Sequence, residues 1–170
     1  MNIKSLKNSF YNTLYPPQFS NKNVERLHSF ITKNNGNKDN GKNNNVWEFI
    51  HILKAFSDKD IQYFFDHING WDSYYLVSIA DKVLDTQVKA NINYDLGAAY
   101  CKVFCSYEKF DSYYLIDNLE YAVTLYHSKP DLVTLINLTN KIQLLFQNDL
   151  IKSQQYRNSM TLIKKLQNEL

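Results

Sequence analysis

Four glycines and three prolines are all that 170 residues contain. So few breakers cannot supply the closely spaced turns of an all-β or Rossmann-type chain, and they favour long helices. No stretch approaches the roughly 18 consecutive apolar residues of a membrane span. The N-terminus, MNIKSLKNSFYNTLYPPQF, lacks the continuous apolar run of a signal peptide. The expectation is a cytoplasmic protein that does not enter membranes. Cys101 and Cys105 are the only cysteines, four residues apart. That spacing puts both thiols on one helix face, but no second pair completes a zinc site, so they read as small core residues of a reducing compartment. HExxH, a P-loop, GxGxxG and GxSxG are all missing, glutamate occurs five times, and no carboxylate pair suggests a glycosidase. The expectation is therefore no catalytic residue, no cofactor and no metal.

What is present is a globular share of apolar residues, 44%, with tyrosine and phenylalanine heavily used. Asn, Lys, Ile and Tyr share AT-rich codons, so genome bias covers much of this usage. The net charge of +2 is unevenly spread. Residues 1–45 carry seven Lys/Arg against two acids, 46–140 seven against thirteen, and 141–170 five against two. An acidic middle would repel phosphate, so a nucleic-acid partner is not expected.

Apolar spacing predicts an all-α single domain over 1–170, of about eight helices stacked as antiparallel hairpins in the HEAT or TPR manner. The first helix covers Asn23–Lys33. NNGNKDNGKNNN (34–45) follows as a flexible loop, and as a calcium loop it fails because Asp39 is its only carboxylate. A second helix carries Val46, Phe49, Ile50, Leu53 and Phe56. Ser57-Asp58 caps a third, Lys59–Ile68, and Asp72 or Ser73 opens a fourth that runs to about Thr86. Residues 88–93 read as a polar connection. The remaining helices are Tyr94–Tyr107, 112 to about His127, Pro130 to about Phe146, and about Leu150–Leu166. Trp47 and His51, one turn apart, are expected to be structural, the indole covering the core with Ile50 and Leu53.

Trp71-Asp72-Ser73-Tyr74-Tyr75-Leu76-Val77 returns 39 residues later as Phe110-Asp111-Ser112-Tyr113-Tyr114-Leu115-Ile116. On helical wheels Leu76, Ile79, Ala80 and Val83 form one core face, and Leu115, Leu119, Ala122 and Tyr126 another. Opposite them lie Tyr74, Asp81 and Asp85 on one helix, and Tyr113, Asp117 and Glu120 on the other. Two neighbouring helices would present parallel ridges of tyrosine and carboxylate. Such ridges serve as an ordinary solvated face or as a protein-recognition surface, with tyrosines as anchors and carboxylates for steering.

Trp47, the pair Phe49-Ile50, His51, Leu53 and Phe56 follow a W-x-hydrophobic-hydrophobic-H-x-hydrophobic-E-x-F pattern. Lys82-Val83-Leu84-Asp85 is similar to an R-I-L-N tail. In these features residues 46–85 resemble the all-helical immunity proteins of bacterial polymorphic toxin systems, the group called immunity family thirty. Lys54 and Lys82 depart from the family's glutamate and arginine. The resemblance implies a cytoplasmic protein that binds a cognate secreted toxin domain and blocks it without turnover. The alternative is a helical-repeat adaptor with no toxin partner.

Overall fold

The computed structural model describes residues 19–35, 44–106 and 112–169. Every regular element among them is helical: α1 (Lys22–Asn35), α2 (Asn44–Lys54), α3 (Asp58–His67), a 3₁₀ turn (Ile68–Gly70), α4 (Ser73–Val83), α5 (Thr86–Asn91), α6 (Leu96–Ser106), α7 (Ser112–Asp117), α8 (Leu119–Tyr126), α9 (Leu132–Gln147) and α10 (Ser153–Asn168). The all-α expectation holds. The loop expected at 34–45 falls mostly on 36–43, outside the described residues, while its flanks belong to α1 and α2.

Short polar side chains start these helices by accepting from backbone N–H groups that have no partner within the helix. Asn21 Oδ1 accepts from Val24 N, and Asp85 Oδ1 from Gln87 N. Asp95 Oδ1 accepts from Ala98 N, and Asp131 Oδ1 from Thr134 N. Asp131 is thus the cap of α9, which leaves Pro130 one residue before the cap rather than in the first turn. Asp85, expected on a recognition ridge, caps α5, a helix where a polar connection was expected. Ser57 and Asp60 form a reciprocal capping box at α3. The Asp60 carboxylate also accepts from Asn21 Nδ2 at 2.6 Å and Asn23 Nδ2 at 3.0 Å. Those bonds, with that from the Ser57 backbone the strongest, hold its pKa well below the usual carboxylate range.

Two helices end in the left-handed conformation without glycine. His127 (φ 50°) closes α8 and Asp149 (φ 55°) closes α9. Ser128 N donates to Val123 O and Leu150 N to Leu145 O, the longer bonds of a Schellman turn. The single helix expected from 112 to His127 is broken at Asn118 into α7 and α8.

One apolar core runs through the structure. α2 packs on α1 and α5, α1 on α4, α4 on α6, and α6 on α8 and α9; α10 packs on α9, α8 and α7. The predicted core faces are correct: Leu76, Ile79, Ala80 and Val83 are buried, as are Leu115, Leu119, Ala122 and Tyr126. Three tyrosine hydroxyls tie successive layers by donating to backbone carbonyls. Tyr94 reaches Leu53 O (3.1 Å), Tyr100 Leu115 O (2.8 Å) and Tyr126 Val83 O (2.7 Å). Leu53 and Val83 lie in last helical turns, where carbonyls lack helix partners. At the α6–α8 crossing Gly97 allows close approach, since a Cβ there would stand 1.9 Å from Ser128 Oγ and 2.7 Å from Ala122 O.

Candidate functional site: two exposed apolar faces

The two tryptophans have opposite surroundings. Trp71 is 7% exposed and packs edge-on against Phe19, His28 and Phe64. Its Nε1 is buried with no hydrogen-bond partner among the described residues. His28 also meets Tyr75, and burial lowers its pKa. This cluster locks α1 to α4.

Trp47, by contrast, is 57% exposed, which corrects the expectation that it covers the core. The reason lies in the helical wheel. On α2 the buried residues are Phe49, Ile50, Ile52 and Leu53. At about 100° per residue their arc centres some 140° from Trp47. His51 is exposed as well, not the half-buried supporting residue expected. Trp47, His51 and Lys54 therefore form one solvent ridge at i, i+4 and i+7, with exposed Glu48 beside it. Lys54 Nζ donates to Asn91 Oδ1 at 3.0 Å, fixing one end of the ridge.

The tyrosine and carboxylate ridges come apart. α4 packs on α1 and α6, and α8 on α6, rather than on each other, and the two meet where Tyr126 reaches Val83. The side chains of Tyr74 and Tyr113 lie outside the described residues. Asp81 and Glu120 are exposed. Asp85 is occupied as a helix cap, and Asp117 Oδ1 accepts from Gln155 Nε2 at 2.7 Å. Gln155 in turn accepts from Lys152 N through its Oε1, so Asp117 belongs to the junction of α7 with α10.

The second exposed face is on α9 and was missed in the sequence. Leu135, Leu138, Ile142 and Leu145 point into the core, while Leu132, Val133, Ile136 and Leu144 on the other side are exposed, Val133 at 67%. The signal was available: LVTLINLTNKIQLLFQ has more aliphatics than one core stripe can hold and a single charge, Lys141. Beside this face, between α9, α6 and the end of α3, runs a groove of about 430 Å³. Lys102, Lys141, Cys105 and Asn137 line it, with Phe65 as an apolar wall. Lys102 Nζ lies 3.8 Å from Asp131 and 4.9 Å from the Phe65 ring centre.

Burial pushes the Cys105 thiol up to about 12 and the Cys101 thiol further, which keeps both protonated and poorly nucleophilic. Among the described residues, no three His, Cys, Asp or Glu side chains converge as a metal site would require. No described helix is long and apolar enough to cross a membrane.

No family model, curated protein or solved structure matches the chain.

Proposed function

We propose that this chain is a protein-binding domain that acts as an immunity protein, neutralising a cognate bacterial toxin domain by covering it. The exposure of Trp47 carries the reading. An indole left 57% in solvent forgoes the burial it would gain in the core. Tryptophan at the centre of a charged rim is the composition of binding hot spots. Trp47 and His51 are two of the residues on which the resemblance to immunity family thirty rests, and they lie on the surface, where a partner can reach them, while the motif's Phe49, Ile50 and Leu53 are buried.

Around the indole, His51, Lys54 and Glu48 supply the polar rim that fixes orientation. The acidic segment 46–140, with Asp81 and Glu120 exposed, would speed association with a basic toxin such as a nuclease. The test is co-purification with the toxin domain encoded beside this gene, followed by toxin inhibition by wild type and Trp47→Ala. The reading predicts a stoichiometric complex and inhibition that the variant loses. A partner with no toxic activity would instead favour the adaptor role.

A further inference from the structure

The groove between α9, α6 and the end of α3 breaks the rule by which the rest of the fold packs. Helices meet through apolar stripes, so the residues along a seam are ordinarily aliphatic. Here α6 brings Lys102 and Ser106 to the seam, one turn apart, and α9 brings Asn137 and Lys141, also one turn apart. Both lysines are half-buried. Drawing an ammonium group partly out of water costs free energy, which an anion held in the groove would offset.

We infer that the groove binds a small organic molecule carrying one carboxylate on an apolar body. The charge comes from a count. Lys102 and Lys141 stand against Asp131, which leaves the described lining with a net of one positive charge. The Asp131 carboxylate is already engaged, accepting from Thr134 N at 2.6 Å and lying 3.8 Å from Lys102 Nζ. A monoanion therefore completes the balance, whereas a phosphate dianion would bring an excess of negative charge beside Asp131. The Asn137 carboxamide has two N–H donors to offer the carboxylate oxygens.

The apolar body has its own surroundings. Phe65 from α3 and Leu144 from α9 flank the polar seam, and Leu144 is 55% exposed without a ligand to cover it. A volume of about 430 Å³ lies in the lower part of the range for small-molecule sites, which join apolar walls to a few convergent polar groups. The inference stands apart from the toxin-binding reading, since no residue of α2 lines the groove.

Amide NMR titration of the full chain with octanoate tests it. At the efficiency ordinary for small ligands, octanoate should bind with a Kd on the order of 1 mM, and the shifted amides should cluster around Lys102, Asn137 and Lys141. Lys141→Gln removes the net charge and should weaken binding by about fivefold. Asn137→Asp, at an exposed position, adds a second carboxylate and should weaken it likewise, so the test survives if Lys141→Gln fails to fold. Lys164→Gln on α10 should leave the affinity unchanged, and circular dichroism checks each variant. Octanol, the same chain without the charge, should not distinguish Lys141→Gln from wild type. Octanoate shifts that miss the groove overturn the inference, as do equal affinities in wild type and both groove variants. Inorganic phosphate that saturates the same amides more tightly than octanoate overturns it too, because the site would then be built for a dianion.

Discussion

Two helices not packed against each other, α2 and α9, both leave large apolar side chains in water, but in different company. On α2 a single tryptophan stands among His51, Glu48 and Lys54. On α9 four aliphatics stand among amides. On the proposed reading, the charges around an exposed apolar area decide what kind of partner fits. A charged rim discriminates between partners by matching or opposing their charges. A neutral face discriminates little.

The contrast requires that Trp47 be surplus to the fold and Trp71 essential to it. Trp71→Ala, which empties the space among Phe19, His28 and Phe64, should cost about 3–5 kcal/mol in urea unfolding. Trp47→Ala should stay within about 0.5 kcal/mol of wild type in the same experiment, as exposed substitutions usually do. Equal losses from the two would erase the distinction between the faces.

Gly97→Ala strikes the α6–α8 crossing. The added methyl meets Ser128 Oγ and the Ala122 carbonyl, and the backbone oxygen cannot swing aside. About 1–3 kcal/mol of overpacking strain is expected, measurable as a lower melting temperature. If it is absent, α6 and α8 are less closely packed than described.

Smaller effects sharpen the two regions separately. Asp149→Gly relieves the left-handed backbone at the close of α9 and should stabilise by about 1 kcal/mol in urea unfolding. In the cluster that locks α1 to α4, burial lowers the His28 pKa from its ordinary 6.5. The unfolded chain therefore takes up the proton first as pH falls. This contribution is fully present above pH 6.5 and is lost as pH drops from there through the folded value. His28→Phe should flatten that part of the stability curve, and an unchanged slope would assign it to another group.

Much of the fold could be read from spacing, because Leu76, Ile79, Ala80 and Val83 recur with the helical period and bury together. What escaped depended on contacts between elements. The helix α5 was hidden in the polar run TQVKAN, whose one buried residue is Val88, and the buried Ile52 was left off the α2 core face while Trp47 was placed on it. Asp85 was recognisable as a short polar residue before that run, yet on a wheel it looked like one more ridge carboxylate. The break at Asn118 and the left-handed His127 and Asp149 have no Gly or Pro to announce them. For the binding faces, the sequence marked Trp47 but on the wrong side of its helix, and it passed over α9 because an excess of aliphatics resembles core until packing shows which side is left over.

Partner affinity of the Trp47→Ala variant tests the central claim most directly. The wild type and the variant would each be titrated onto the immobilised toxin domain, with the urea midpoint of each recorded alongside. The account predicts an affinity loss of about 2 kcal/mol or more, roughly thirtyfold, at an unchanged urea midpoint. Wild-type affinity in the variant, or a loss of affinity matched by a lower urea midpoint, would contradict it.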